Sequence, residues 1–362
     1  MFFEKIKIEY KALIVLSFYV FWLISFPMSG FLVAGDISHS LTNYFLLFHV
    51  LTFVISYFFI NMDVLKKLTN PAILITAILT FVFPFFKEHN RIIISIIGVT
   101  SVFLAIKSIL IFKNVSDKII FSVFSLVLGN LLTFITTSFN NFLVFFLISL
   151  CLITITFVPL EKDYEKEVIE IKIIKLFILF IFYLTGGLMY EFFLPNYLAN
   201  AYIPNSELIF YILGLLISIY FIKKDLEISF AIGLLFGSFS FFLYKIQTTP
   251  FINAGMYISQ ISFGIVDAFF LNLIISYITD FKKILVIFIA MLSGILSGKL
   301  ICTLLQNKLG IIIESGNLFL ILSAILLFFN IKMEKKVLTV EASIDKKEKN
   351  IQEIVFDENN SY

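Results

Sequence analysis

The chain has 362 residues, of which 60% are hydrophobic, 17% are aromatic and only 14% are charged. A typical globular chain carries about 25% charged residues, so a water-soluble fold could not cover this much apolar surface. The formal net charge of +2 creates no strong field for nucleic acid. The two cysteines and three scattered histidines give no disulfide framework and no metal-ligand spacing. The composition therefore indicates a membrane protein.

Apolar runs of about 20 residues, the length that crosses a bilayer, recur along the whole chain. The first run follows three lysines, but it is too long for a signal peptide and no A-x-A-like site follows it, so we interpret it as a retained span. Charged and turn residues separate twelve runs, which predicts an all-α integral membrane fold of twelve transmembrane helices. The predicted limits are 12–34, 41–61, 71–86, 92–112, 119–138, 142–160, 174–194, 208–222, 228–244, 251–279, 284–306 and 315–331. The third, eighth and ninth runs are short, so ten or eleven crossings remain an alternative.

Basic residues are distributed unequally between the two sets of connectors. One set, together with the two ends of the chain, holds 21 lysines, whereas the other holds only Lys87, Arg91, Lys245 and Lys308. Lysine and arginine stay on the cytoplasmic side of a membrane. We therefore expect an even number of spans in the cytoplasmic (inner) membrane, with both termini in the cytoplasm.

The longest connector on the lysine-rich side divides the spans into six and six. We expect a six-helix bundle over residues 1–160, a cytoplasmic connector over 161–172 and a second six-helix bundle over 173–335. Residues 336–362 are polar and rich in lysine and glutamate, which is typical of a solvated, disordered tail.

The two halves resemble each other at an offset near 165 residues, with the order of the matches preserved. The matches pair Phe21–Met28 with Phe182–Met189, Leu128–Leu132 with Ser297–Ile301, Gly98 and Ser101 with Gly264 and Asp267, and Asp63 with Asp225. Each six-span half begins on the same side of the membrane. The pattern therefore predicts two pseudo-repeats related by an axis along the membrane normal.

With twelve spans, a six-plus-six division and a charged turn after the second span, the sequence resembles the major facilitator superfamily of secondary transporters. In that family the turn carries a glycine, an aspartate and several basic residues. Here it reads NMDVLKKL, so Asp63, Lys66 and Lys67 match in kind while the glycines and the arginine are absent. The resemblance covers roughly residues 1–335, and it implies alternating access by rocking of the two halves around a central cavity.

Polar residues recur along one face of the tenth span. Asn253, Tyr257, Gln260, Gly264 and Asp267 are spaced by four, three, four and three residues, which places them on one helical stripe. A polar stripe within a bilayer must face protein or water. We expect it to line the cavity and to contribute to substrate binding or coupling. The alternative is hydrogen bonding between helices, with Gly264 allowing close packing.

Ionisable residues within spans are costly and are therefore functional candidates. Glu191 lies near the outer end of the seventh span, after Tyr190, and Lys299 lies within the eleventh. Counting residues from the cytoplasmic ends of the helices places Asp267, Glu191 and Lys299 at similar depths. We predict that Lys299 pairs with Asp267 or with Glu191, and that protonation of the acid releases the pair.

Three candidates lie in the first half. Asn130 occupies the repeat position opposite the Lys299 stripe. His49, in the second span, suits either a proton site or a packing role. Trp22, in the first span, suits substrate stacking, although most of the 47 phenylalanines and other aromatics are expected to pack against lipid.

No phosphate-binding G-x-x-x-x-G-K-[ST] loop, H-E-x-x-H or G-x-S-x-G motif occurs, so we expect neither an ATP-driven pump nor an enzyme. We expect a secondary transporter of a small organic solute, coupled to protons or another ion by symport or antiport. Its expected partners are that solute, the ion and the bilayer, without nucleic acid or a cofactor. The alternatives are an integral-membrane lipid- or glycan-handling protein, such as a flippase or polymerase, and a membrane sensor that does not transport.

Overall fold

The computed structural model describes residues 7–28, 31–34, 40–160, 171–305, 308 and 310–332. Within these residues the chain forms thirteen α-helices, and all but the four-residue α2 correspond to predicted spans. They are α1 Ile8–Ser25, α2 Phe31–Ala34, α3 Ser40–Phe59, α4 Met62–Val82, α5 Asn90–Leu110, α6 Lys118–Thr136, α7 Asn141–Thr156, α8 Ile173–Asn200, α9 Glu207–Lys224, α10 Leu226–Tyr244, α11 Thr249–Ser276, α12 Phe281–Leu304 and α13 Gly310–Lys332. Residues 161–170 of the predicted connector, and the whole predicted tail over 336–362, lie outside the described residues.

Over the described part of the chain, ten helices are long and apolar enough to cross a membrane. The two others that match predicted spans are α7, which has 16 residues, and α9, whose 18 residues include three charges. The runs that looked short belong to helices α4, α9 and α10 of 21, 18 and 19 residues, each close to the roughly 20 needed. The chain is a multi-pass membrane protein.

The first predicted span, 12–34, is too long. Helix α1 ends at Ser25, and Phe26–Met28 form a turn. Pro27 explains the stop, because proline disfavours helical backbone in the residue before it and cannot donate a backbone hydrogen bond. Hydropathy alone did not register this break, since Phe26, Pro27 and Met28 are all apolar.

The charged segment after the second span is helical and does not form the predicted turn. Helix α4 begins at Met62, and Asn61 caps it by accepting a hydrogen bond from the backbone N–H of Val64 at 3.0 Å. Asp63 lies in the first turn, where the negative charge of its carboxylate is stabilised by the positive end of the helix dipole. The predicted third span, 71–86, therefore starts nine residues too late (71 − 62), and Pro71 lies inside the helix.

The first five membrane-spanning helices of each half pack in the same pattern. In the first half α1 packs on α6, and α5 packs on α3 and α4; in the second half α8 packs on α12, and α11 packs on α9 and α10. The halves meet through two equivalent pairs, α3 with α12 and α6 with α9. The helices thus form the two six-helix pseudo-repeats that the sequence predicted.

Close helix contacts at glycine support the repeat at the level of single residues. A Cβ on Gly98 of α5 would lie 2.7 Å from the carbonyl oxygen of Phe45, and a Cβ on Gly264 of α11 would clash with the carbonyl oxygen of Tyr211. The two glycines and the two carbonyls are each 166 positions apart (264 − 98 and 211 − 45). Each glycine and the carbonyl group that it contacts therefore recur at the same offset in the second half. This is stronger evidence of repetition than the matches between apolar segments of sequence.

The bundle is closed at the face that carries the α3–α4, α5–α6, α9–α10 and α11–α12 connections, which we call the lysine-rich face. There the Nζ atom of Lys282, on α12, donates hydrogen bonds to the carbonyl oxygens of Tyr57 and, at 3.3 Å, Ile60. Deeper in the bundle the rings of Phe53 and Phe288 stack with centroids 4.9 Å apart. Both contacts join one half to the other, so they must break if this face opens.

Candidate functional site

A cavity of about 310 Å³ lies between the two halves. Its floor includes Phe288, and its lining extends to Thr42, Thr137 and Asn205 near the helix ends at the opposite face. Most of the lining is apolar or aromatic. The polar side chains in the lining are Tyr19, Thr42, Asn130, Thr133, Thr137, Tyr183, Tyr190, Asn205, Glu207, Tyr211, Gln260, Asp267 and Lys299.

Asp267 lies in the cavity wall and accepts hydrogen bonds from two tyrosines on different helices. The hydroxyl of Tyr183, on α8, donates to Oδ1, and the hydroxyl of Tyr211, on α9, donates to Oδ2 at 2.6 Å. Hydrogen bonds to a charged acceptor are the stronger kind. The carboxylate therefore joins α8, α9 and α11 at one point beside the cavity.

The predicted pairing of Lys299 with Glu191 is confirmed. The Nζ atom of Lys299 lies 3.8 Å from Oε2 of Glu191, and the two side chains are 3% and 21% exposed. Lys299 lines the cavity from α12, and Glu191 lies on the neighbouring helix α8. Each residue lies eighteen positions from the start of its helix (299 − 281 and 191 − 173), so the charges meet at one level.

The alternative pairing of Lys299 with Asp267 is not present. Asp267 lies only nine positions from the end of α11 at the lysine-rich face (276 − 267), because residues 277–280 form the turn rather than helix. Lys299 is eighteen positions from that face, so the two differ in depth by about 14 Å at 1.5 Å per residue. The count from the sequence included the turn residues and so placed the two charges at one depth. The turn, together with the rotation of each helix about its own axis, separates them.

Three other predicted residues also line the cavity. The amide of Gln260 donates to the hydroxyl of Tyr190 at 3.4 Å, so the two form one polar contact across α8 and α11. Asn130, on α6, donates back to the carbonyl oxygen of Leu126 in its own helix at 2.8 Å. All three contribute polar atoms to a wall that is otherwise largely apolar.

The polar stripe predicted on the tenth span, which is helix α11, faces the cavity only at Gln260 and Asp267. Asn253 bonds instead to the end of α8, donating to the carbonyl oxygen of Asn200 at 2.9 Å. Tyr257 stacks on Phe210 with ring centroids 4.1 Å apart. Gly264 packs against the backbone of α9. At these positions the stripe is a helix-packing surface, as the alternative interpretation proposed, and only Gln260 and Asp267 line the cavity.

His49 and Trp22 are buried away from the cavity lining. The Nδ1 atom of His49 lies 2.8 Å from the carbonyl oxygen of Gly98 and 3.0 Å from the hydroxyl of Ser101. The indole of Trp22 donates to the hydroxyl of Thr80 at 3.0 Å. In each case the polar atom is used between helices of the first half, which is a packing role.

Sequence reasoning missed Tyr211 and Glu207 on α9, and Tyr19 on α1. Tyr211 holds Asp267, while Glu207 lines the cavity and accepts a hydrogen bond from Tyr197 at 2.9 Å. Glu207 and Tyr211 are four residues apart, so their i, i+4 spacing was a usable signal. It was not used because the predicted eighth span, 208–222, starts one residue after Glu207.

The described residues contain no group of three or more His, Cys, Asp or Glu side chains that could hold a metal ion. The polar groups of the cavity wall are hydroxyls, amides, two carboxylates and one ammonium. This arrangement suits hydrogen bonding and charge pairing with a solute.

The overall fold is similar to that of several solved membrane transporters. A bacterial homologue of the iron transporter ferroportin, in an outward-facing state, aligns over 89% of this chain and 99% of its own, with 12% identity and a TM-score of 0.58. The human organic anion transporter MFSD10 aligns over 88% and 98%, with 11% identity and a TM-score of 0.57. FucP, a major facilitator superfamily transporter in the outward conformation, aligns over 87% and 97%, with 8% identity and a TM-score of 0.60.

No protein-family model matches the sequence, and no curated protein sequence matches it. At 8–12% identity the likeness to solved structures establishes the fold alone. The chain has the major facilitator superfamily fold, as the twelve predicted spans and the predicted six-plus-six division implied.

Proposed function

We propose that the protein is a secondary active transporter that moves a small organic solute across the membrane by alternating access. The observation that carries the proposal is the cavity between the two pseudo-symmetric halves, closed at the lysine-rich face by Lys282 and the Phe53–Phe288 stack. The solved structures with this fold are described as transporters, and two of them are in outward-facing states. The lysine bias would place the closed face in the cytoplasm, so the described state would be open to the outside.

Alternating access would require the contacts at the lysine-rich face to break while contacts at the opposite face form. The interfaces α3–α12 and α6–α9 are equivalent in the repeat, so the halves can rock about an axis between them. We take residues 1–160 and 173–335 as the two rocking units. Cutting the chain within the 161–172 connector and co-expressing the two fragments should then restore function.

We assign ion coupling to Asp267. While ionised, the carboxylate accepts hydrogen bonds from Tyr183 and Tyr211 and so ties α11 to α8 and α9. Protonation would remove the negative charge and weaken both bonds, because hydrogen bonds to neutral acceptors are about half as strong. A proton on Asp267 would therefore loosen three helices at the cavity wall, which couples proton binding to a change of packing.

A reconstituted system tests the proposal. The purified protein would be placed in liposomes with a pH-sensitive dye inside, and a solute panel would cover cations, anions, sugars and zwitterions. We expect at least one solute to drive proton movement, and we expect Asp267→Asn to abolish it. The control is Asp63→Asn, an exposed carboxylate in the first turn of α4, which should leave proton movement intact.

The result that would overturn the proposal is a folded wild-type protein for which no solute moves protons or is itself taken up. Equal proton movement with Asp267→Asn would leave transport standing but would remove Asp267 as the coupling site. The same assay separates transport from the lipid-handling alternative, since a lipid flippase would move labelled lipid between leaflets without any soluble solute.

A further inference from the structure

The charge balance of the cavity wall is negative. Among the described residues that line the cavity, the formal charges are those of Glu207, Asp267 and Lys299. The positive charge of Lys299 is offset by Glu191 at 3.8 Å, whereas Asp267 accepts hydrogen bonds from uncharged hydroxyls. A solute in the cavity therefore meets two carboxylates and one ammonium that already faces a carboxylate. An anionic solute would be repelled by this wall.

Aromatic rings line the same cavity wall as the carboxylate of Asp267. Tyr183 and Phe270 lie with ring centroids 5.9 Å apart, and Tyr190 and Phe263 lie with centroids 5.4 Å apart; all four residues line the cavity. The faces of aromatic rings carry partial negative charge and attract cations, most strongly where water is excluded. The rings thus add to the attraction of the carboxylate for a positive group and also supply an apolar surface for the body of a solute.

Six of the ten neutral polar side chains in the wall already donate hydrogen bonds within the protein. The amide nitrogens of Gln260 and Asn130 donate to Tyr190 and to the backbone of Leu126 respectively. A sugar carries many hydroxyls that each need a partner, because a buried polar group without one costs about 1–3 kcal/mol. This cavity offers such a solute little compensation. An apolar or aromatic solute with one positive charge matches the wall better.

We propose that the cavity binds an organic monocation with an apolar body, and that the carboxylate of Asp267, in a wall rich in aromatic rings, is its counter-ion. This proposal rests on the proposed function and names the substrate class for the same cavity. Protonated Asp267 offers no charge to the cation, so the proton and the cation exclude each other from this site. Coupling through one shared carboxylate then gives exchange of proton for cation rather than co-transport.

A charge series with one common body tests the proposal on the full-length protein in detergent. The probes are 2-phenylethylammonium, 2-phenylethanol and phenylacetate, which are a cation, a neutral molecule and an anion. Trp22 is the only tryptophan, and its ring lies 6.1 Å from that of Tyr19, which lines the cavity, so its fluorescence reports occupancy. We expect the cation to bind at least about tenfold more tightly than the neutral probe, the equivalent of one charge-assisted contact.

Variants assign the effect to named groups. Asp267→Asn should reduce cation affinity to that of the neutral probe, while Asp63→Asn on α4 should leave it unchanged. Tyr183→Phe keeps the ring and should retain most of the preference for the cation, whereas Tyr183→Leu removes the ring and should weaken it severalfold. Melting curves would confirm that each variant is folded, and the wild-type charge series needs no variant at all.

Equal affinity for all three probes, or tighter binding of phenylacetate, would overturn the cation proposal. The liposome panel distinguishes this failure from failure of the proposed function. If anions or neutral solutes move protons while cations do not, transport stands and the substrate class is wrong. If no solute of any charge moves protons or is taken up, the proposed function itself fails.

Discussion

Removing either charge of the buried pair Lys299–Glu191 should destabilise the protein, and we expect the two losses of stability to differ. At an effective dielectric constant of about 20, two unit charges separated by 3.8 Å attract by roughly 4 kcal/mol, before the cost of desolvation is subtracted. Lys299 is 3% exposed, so its ammonium has little access to water when Glu191→Gln removes the partner charge. We expect that variant to lose about 3–5 kcal/mol of stability.

The reciprocal change should cost less. Lys299→Met keeps an apolar side chain of similar length in the helix contact and leaves Glu191, whose side chain is 21% exposed and so less completely buried than that of Lys299. We expect a loss of about 1–2 kcal/mol for Lys299→Met, and about the same for the double variant, because the double variant leaves no buried unpaired charge. The coupling energy in the double-mutant cycle should therefore be about 3–5 kcal/mol, the loss expected for Glu191→Gln alone.

Equilibrium unfolding in mixed micelles, followed by circular dichroism, measures these differences. Lys245 and Glu314 provide a control pair at 3.0 Å, since their side chains are 62% and 68% exposed. Replacing either member of the control pair should change the free energy of unfolding by less than about 0.5 kcal/mol. Additive effects at Lys299 and Glu191, or a larger loss for Lys299→Met than for Glu191→Gln, would refute the reasoning from burial.

Three other predictions concern packing, gating and topology. Gly298→Ala should lower stability by about 1–3 kcal/mol, because its Cβ would clash with the backbone of α8, whereas Gly310→Ala, with nothing within 4 Å, should cause no loss in the same melting assay. Lys282→Met removes hydrogen bonds across the lysine-rich face and should increase severalfold the labelling of cysteines introduced into the seam below the cavity floor. Unchanged labelling would mean that packing alone holds that face shut. A cysteine at Asn140 should react with an impermeant reagent in intact cells and one at Asp63 only after permeabilisation; the reverse pattern would invert the topology inferred from the lysine bias.

The fold was predictable because the bilayer imposes a length on every crossing segment. Runs of about 20 apolar residues are visible in the sequence without knowledge of any tertiary contact. The errors occurred where hydropathy and backbone geometry disagree. Pro27 ends α1 inside an apolar run, and Asn61 starts α4 before a charged segment. A proline and a cap are local signals, and they locate helix ends better than the change in hydropathy does.

The site was only partly predictable, because sequence gives depth along a helix but not the direction in which its faces point. Depth counting paired Lys299 with Glu191 correctly, since both lie on helices that start at the same face. It could not place Asp267 beside Tyr211, because that contact depends on the rotation of α11 against α9. Gly264 and Gly214 set this rotation by allowing the two backbones to touch. Small residues in adjacent spans are therefore the sequence signal that would have oriented the polar stripe.

The pseudo-repeat also shows how equivalent positions differ between the half that carries the charged residues of the cavity wall and the half that does not. Ser101 of α5 and Asp267 of α11 occupy equivalent positions, each three residues after the glycine that packs on the neighbouring helix. Ser101 bonds to His49 within the first half, whereas Asp267 bonds to Tyr211 at the cavity wall. The same backbone contact thus supports a packed polar pair in one half and a carboxylate facing a cavity in the other. The charged residues in the described cavity lining all belong to the second half, and Ser101 is not among the residues that line the cavity. Exchange of Ser101 and Asp267 should therefore move the carboxylate away from the cavity and from Tyr183 and Tyr211, and cation binding should be lost rather than transferred.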